Sequence, residues 1–230
     1  MTPIINLYNE DCIPAMKKMA DNQYDLAIVD PPYGIGFSNY ERGSSGIKVK
    51  ERYTKNGKKE WDKIVPTDEY FKQLFRVSKY QIIWGGNYFN LSPTKHFIFW
   101  YKRNPVPNFA DGEYAWTNFD MPAKCFDYTY YGNINTETNR IVPTQKPIAL
   151  YKWLLKNYAK EGDKILDTHF GSLSIGIACH DYGYDLTAYE IDKDYFEAGK
   201  KRLEIHKKRP QGFFKEKELQ HDKKNTKPLF

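Results

Sequence analysis

From residue 164 onward the sequence alternates twice between a short apolar run and a longer segment of helical period. Lys164-Ile165-Leu166-Asp167 reads as a strand, 172–182 as a helix, Asp185 to Glu190 as a strand and 192–206 as a helix. A β-α-β-α order of this kind commits the segment to parallel strands joined by helical crossovers, hence to a doubly wound α/β sheet. Earlier segments extend the pattern. Residues 3–8 and 25–30 read as strands, with a short helix near 12–20 between them. A helix is predicted at about 67–78, with Thr67 as its cap and Asp68 and Glu69 in its first turn. Gln81 to Trp84 reads as a strand ended by Gly85-Gly86, and 96–101, 114–117 and 123–131 as further short strands. Pro143 to Tyr158 reads as a helix entered at Lys146-Pro147, proline being tolerated in a first turn.

A chain of 230 residues suits one well-buried domain and is short for two. Residues 1–206 are expected to form that domain, with a Gly-, Ser- and Lys-rich loop inserted at about 36–63, and 207–230 a basic C-terminal tail. No apolar stretch approaches eighteen residues, and the N-terminus has neither a basic start nor a signal-peptide core, so no membrane span or secretion is expected. Cys12, Cys125 and Cys179 are scattered and form no CxxC pair. That argues against a disulfide framework or a zinc knuckle and fits a reducing cytoplasm. The net charge of +6 is unevenly spread: residues 200–230 carry eleven Lys/Arg against four Asp/Glu, so the rest of the chain sits at −1. Residues 41–63 form a second basic island, eight against four. Basic patches outside a near-neutral core suit a polyanionic partner.

The apolar run Tyr24 to Val29 ends in Asp30-Pro31-Pro32-Tyr33. Two prolines cannot continue a ladder, so the strand stops there. In an open α/β sheet, ligands gather at the carboxyl ends of strands. That position therefore offers a carboxylate, stiff prolines with free carbonyls, and an aromatic ring. Asp30 and the Pro31 carbonyl can accept both N–H bonds of an exocyclic amine while Tyr33 stacks on the ring that carries it.

A second constellation runs from Asp167 through Thr168-His169-Phe170-Gly171-Ser172-Leu173-Ser174 into a helix, and Glu190 ends the following strand. A turn of small residues lets a ligand approach the backbone, and the helix N-terminus favours an anionic group. Glu190, about twenty residues beyond, is placed to take the two hydroxyls of a ribose. Neither GxGxxG nor a Walker pattern is present.

With both constellations in view, the chain resembles the S-adenosylmethionine-dependent DNA amino-methyltransferases in which the target-base motif precedes the cofactor motif. Further segments match that family's patterns. Asn9-Glu10-Asp11-Cys12 is similar to the segment whose acid approaches the cofactor adenine. Trp61-Asp62, Ile83 to Phe89 and Trp100-Tyr101-Lys102 are similar to its middle strands. Pro143-Thr144-Gln145-Lys146-Pro147 matches the helix entry before the cofactor turn, and Tyr189-Glu190-Ile191-Asp192, Tyr195 and Arg202-Leu203 match its end.

The resemblance implies a Rossmann-like class I methyltransferase, with a mostly parallel sheet and helices on both faces. It implies that Asp30, Pro31, Pro32 and Tyr33 carry the catalysis. Asp11, Cys12, Asp30, Lys146, Thr168, Phe170, Gly171, Ser172, Ser174 and Glu190 would bind S-adenosylmethionine, with no metal. The partner would be double-stranded DNA, and relatives often pair as homodimers. Asp at the first motif position, with Trp61-Asp62 and Trp84-Gly85-Gly86, resembles the adenine-N6 group. Cytosine-N4 methylation and a catalytically impaired DNA-binding relative are the alternatives. A glutamine-methylating enzyme usually carries Asn before Pro-Pro-Tyr. One departure stands out: Thr168 replaces the usual proline of the cofactor turn, and Leu173 its second glycine. A Cβ-bearing residue does not adopt positive φ cheaply. The departure predicts either a different backbone path or a weakened cofactor site.

Overall fold

The computed structural model describes residues 2–34, 65–105, 107, 110–130, 135, 140–142 and 144–208. The basic loop at 36–63, with Trp61-Asp62, and the tail from 209 lie outside the described residues.

Among the described residues eight strands form one sheet: β1 (Ile5–Tyr8), β2 (Tyr24–Val29), β3 (Ser78–Trp84), β4 (Phe97–Tyr101), β5 (Gly112–Thr117), β6 (Lys124–Asp127), β7 (Lys164–Asp167) and β8 (Asp185–Tyr189). The α-helices that accompany them are α1 (Cys12–Lys17), α2 (Asp68–Val77), α3 (Ile148–Tyr158), α4 (Ser174–Tyr182) and α5 (Lys193–Lys207). The order across the sheet is β1-β8-β7-β2-β3-β5-β4-β6. The expected α/β doubly wound architecture is what forms.

The reason lies in the side-chain alternation of the central strands. On β2, Leu26 and Ile28 enter one core cluster while Ala27 and Val29 enter the other. Ile82 and Trp84 of β3 face the first cluster and Ile83 the second. A strand apolar on both faces must be covered on both. Helices α3, α4 and α5 cover the first face, and α1 and α2 the second.

Individual boundaries follow local chemistry. Thr67 caps α2 as expected, its hydroxyl accepting from the Tyr70 N–H at 3.4 Å. Helix α3 starts only at Ile148, because Pro147 stands extended at its N-cap. β3 starts at Ser78, three residues before the expected strand, because Ser78 ends α2 in an extended conformation and pairs at once with Tyr24. The strand read at 123–131 covers only 124–127.

β5 runs antiparallel to both β3 and β4, whereas β4 pairs with β6 in parallel. The first residues of β5 therefore lie at the same end of the sheet as the last residues of the parallel strands. Among the described residues no helix is long and apolar enough to cross a membrane.

Candidate active site

β2 and β7 are neighbours at the centre of the sheet, and the chain leaves them for helices on opposite faces. Such a switch point leaves a crevice beyond the strand ends. A cavity of about 470 Å³ lies there, within the roughly 300–1,000 Å³ of small-molecule sites. Asp11, Cys12, Asp30, Pro32 and Lys146 line it, and so do Phe170, Gly171, Ser172 and Glu190. Pro31, Tyr33, Thr168 and Ser174 do not; they stand behind the wall.

The turn after β7 is held from several directions. Gly171 has φ +50°, and a Cβ there would meet only Val142, at 3.8 Å, so the backbone stays open to the cavity. The N–H of Gly171 donates to Glu190 Oε2 at 2.9 Å, and that of Asp192 to Glu190 Oε1 at 2.8 Å. Glu190 thus fastens the turn with both oxygens. Thr168 lies with its hydroxyl 2.7 Å from the Tyr70 hydroxyl on α2 and 2.9 Å from His169 Nδ1. Ser174 donates to the Lys146 carbonyl at 2.8 Å and accepts from Arg202 at 3.0 Å. Thr168 and Ser174 therefore brace the turn and do not face the cavity, because their hydroxyls are buried against protein partners. Leu173 adopts φ +59° itself, with its side chain fully buried in the core and away from the cavity.

A chain of charges meets the cavity at Asp30. Asp30 Oδ1 accepts from the Tyr33 hydroxyl at 2.5 Å, and Oδ2 from Lys146 Nζ at 2.5 Å. The same ammonium lies 3.1 Å from Glu113 Oε2, and Lys102 pairs with Glu113 Oε1. Burial by itself would push the Glu113 carboxyl up, but Lys146 and then Lys102 reverse this and hold it down at about 2. Burial likewise opposes the Lys146 ammonium, yet Asp30 and Glu113 keep its pKa above the ordinary lysine value. Burial, with Asp30 and Glu113 close by, raises Tyr33 well above an ordinary phenol.

Tyr33 is itself held in place. Its ring stacks on Tyr88, centroids 5.0 Å apart and 17° from parallel. A Cβ at Gly85 would fall 2.2 Å from Tyr33 Cε1 and 2.6 Å from both Cδ1 and Cζ, directly over the ring. Gly85, with φ +67°, is thus the residue that lets the backbone lie against that ring.

Three titratable groups at the cavity or just behind it are shifted chiefly by burial. Asp167 is raised to about 8, with Asp30 and Glu190 adding to the effect, and His169 is lowered to about 4. Cys12 is pushed up to about 12 by burial and by Asp11. A neutral imidazole hydrogen-bonded within the turn makes His169 part of the turn's own framework.

The comparisons with known proteins bear on this geometry. The N6/N4-type DNA methylase family matches residues 79–201, just over half of the 230-residue chain. The chain belongs to the DNA methylase family. The Type II methyltransferase M2.DpnII of Streptococcus pneumoniae is 24% identical, over 86% of this chain and 89% of its own length. The M1.HpyAVI–SAM complex shares the fold at TM-score 0.54 and 20% identity, covering 86% of this chain and 100% of that one. The PvuII DNA methyltransferase, cytosine-N4-specific, does so at TM-score 0.55 and 11% identity, covering 96% and 92%.

The DNA methylase reading asks whether the cavity fits S-adenosylmethionine, and the residues present do fit it. Gln145 lines the cavity and carries a buried amide nitrogen without an acceptor among the described residues, as a donor to a polar ligand would. Gly171 lets a ligand reach the backbone, and Asp11 and Glu190 place carboxylates on the wall. The sequence reading missed Gln145, Tyr70 and Glu113. Gln145 was within the Thr144-Gln145-Lys146-Pro147 match. Tyr70 and Glu113 carry no motif, and only the packing of α2 and the reversal of β5 bring them here.

Proposed function

We propose that this DNA methylase transfers the methyl group of S-adenosylmethionine to the exocyclic N6 amine of adenine in a base extruded from double-stranded DNA. The observation that carries this reading is the setting of Asp30. It is a carboxylate on the cavity wall, oriented by Tyr33 on one oxygen and by Lys146 on the other.

The amine of adenine is a poor nucleophile because its lone pair is conjugated with the ring. Asp30 and the Pro31 carbonyl accept its two N–H bonds and draw the lone pair out of conjugation. These contacts strengthen as the nitrogen becomes positive, which is where transition-state stabilisation is gained. Asp30 then takes the proton that the nitrogen releases. Tyr33, whose ring otherwise stacks on Tyr88, exchanges that partner for the base, since chemistry on a base requires taking it out of the helix. S-adenosylmethionine supplies an electrophilic sulfonium methyl, so the protein contributes chiefly position and orientation. Asp11, Cys12, Lys146, Phe170, Gly171, Ser172 and Glu190 form the donor's site, with Thr168 and Ser174 behind them.

Residues 1–206 form the catalytic unit. The basic loop 36–63 and the segments 103–113 and 132–142 share contact with DNA. Adenine is favoured over cytosine by Asp at the first motif position and by Trp84-Gly85-Gly86. The test is incubation with isotopically labelled donor and unmethylated DNA, followed by nucleoside analysis. N6-methyladenine is expected, and N4-methylcytosine would overturn the choice of base. Asp30→Ala is expected to lose at least a thousandfold in rate; label transferred at the wild-type rate would overturn the role of Asp30.

A further inference from the structure

Lys146 sits between two carboxylates that the sequence keeps far apart. Its ammonium is 2.5 Å from Asp30 Oδ2 and 3.1 Å from Glu113 Oε2, and its side chain is only 3% exposed. From Lys102 through Glu113 and Lys146 to Asp30 the charges alternate in sign and sum to zero. The series ends on the cavity wall at Asp30, while Glu113 lies away from it.

Both oxygens of Asp30 are engaged, one by the Tyr33 hydroxyl and one by Lys146. Each oxygen keeps a second lone pair, but an amine N–H that approaches Asp30 meets a carboxylate whose charge and orientation are already held by that ammonium. A buried ammonium cannot be released into nothing, because stranding it without an acceptor costs several kcal/mol. A second acceptor within reach of the same nitrogen removes that obstacle.

We propose that Glu113 is a positioning residue for the methyl transfer, giving Lys146 an alternative seat so that Asp30 can turn from the ammonium to the target amine. The proposal rests on the reading that Asp30 accepts the amine hydrogens, and it holds for adenine or cytosine alike. A small reorientation of the ammonium would suffice, since 3.1 Å is already within hydrogen-bond distance and Glu113 Oε2 accepts no hydrogen bond among the described residues. Lys102 is the competing cation on the other oxygen of Glu113 and sets how strongly Glu113 can draw Lys146. Strong ionisation of Glu113, with a carboxyl held at about 2, agrees with this use. Among the described residues the charged and titratable groups around Glu113 are Lys102, Lys146, Tyr33 and Tyr151.

The test measures single-turnover methylation per donor-binding site for the full chain. Glu113→Gln keeps the shape but removes the charge, so Lys146 is left to Asp30. A loss of tenfold or more is expected, with donor Kd within twofold of wild type. In a Lys146→Met background the same substitution is expected to cost less than twofold further. Glu113→Asp, which keeps the charge, is expected to lose less than Glu113→Gln. Lys102→Met frees Glu113 for Lys146 and is expected to leave the rate at or above wild type.

A purely structural role predicts otherwise: Glu113→Gln within twofold of wild type, or an equal loss with and without Lys146, and either overturns the proposal. If Glu113→Gln does not fold, Lys102→Met decides alone, and a fall beyond twofold overturns it. Asp30→Ala is run in parallel. Full rate there defeats the amine-binding role of Asp30, whereas an inactive Asp30→Ala beside an unimpaired Glu113→Gln defeats only the role of Glu113.

Discussion

The Leu173 side chain fills the space left open by Gly199: a Cβ on Gly199 would lie 3.1 Å from Leu173 Cβ and 3.1 Å from Phe170 Cε2. Gly176 makes the same allowance from α4, since a Cβ there would lie 2.7 Å from Leu173 Cγ. The departure at Leu173 is thus matched within this chain by two small residues packed around it. Positive φ at a leucine costs about 1–2 kcal/mol, against about 2–5 kcal/mol for emptying a buried leucine site. Leu173→Gly is therefore expected to lower stability by about 1–3 kcal/mol in denaturant unfolding. Donor affinity should change by less than threefold in calorimetry, because Leu173 does not line the cavity. A large gain in affinity would show that the leucine distorts the site.

Gly85 is bound to Tyr33 by a closer constraint. Its φ of +67° disfavours any side chain, and a methyl there would overlap the Tyr33 ring. Gly85→Ala should push Tyr33 out of position and with it the hydrogen bond to Asp30. Methylation is expected to fall at least tenfold while donor Kd stays within about twofold, since neither Gly85 nor Tyr33 lines the cavity. Equal loss of both would mean that the whole sheet end had shifted.

Asp167 and His169 make opposing contributions to stability as pH changes. Asp167, raised to about 8 by burial, binds a proton in the folded state that the unfolded chain releases near 4. Its contribution therefore falls as pH rises from about 4 to 8, by at most about 1.4 kcal/mol per pH unit. His169, lowered to about 4, remains neutral where the unfolded imidazole would be charged. Its contribution is lost as pH falls from 6.5 toward 4. The two offset each other below 6.5, and above it Asp167 acts alone. Asp167→Asn keeps an acceptor for the His169 N–H, which reaches Asp167 Oδ1 at 3.0 Å. The variant should flatten the decline between pH 6.5 and 8 and be the more stable protein at pH 8. Denaturant midpoints across that range give the answer, and an unchanged slope would mean that Asp167 ionises normally.

Most of the sheet was legible because strand length and apolar content are local. The direction of β5 was not, since a run such as Tyr114 to Thr117 reads the same whether its partners lie parallel or antiparallel. That reversal brings Glu113 to the carboxyl ends of β2 and β3. Nothing in the residues next to Lys146 marks it for burial. It is buried because its partners stand 116 and 33 residues away in the chain, a pairing no local pattern records. The cofactor turn was legible in its glycine and serine. The Tyr70–Thr168–His169 hydrogen-bond chain that braces it was not, because Tyr70 stands 98 residues from Thr168 in the chain.

The ends of the basic insertion meet. A Cβ on Gly34 would lie 2.4 Å from Val65 Cγ2, so the chain departs and returns at one point beside Asp30. Val65, Pro66 and Thr67 line the cavity there. Shortening an insertion whose ends already touch changes the loop-closure term by only about 0.6 kcal/mol per halving of length. Deleting residues 43–58 should thus leave the fold and donor binding intact, with Kd within threefold of wild type. It also removes five of the eight basic residues counted in 41–63, all but Arg42, Lys59 and Lys63. Each phosphate left without its cation should reduce the slope of log affinity against log salt by about 0.9. The expected result is loss of DNA methylation together with a shallower salt dependence of DNA binding. Full activity and an unchanged slope would assign the DNA interface to another part of the molecule.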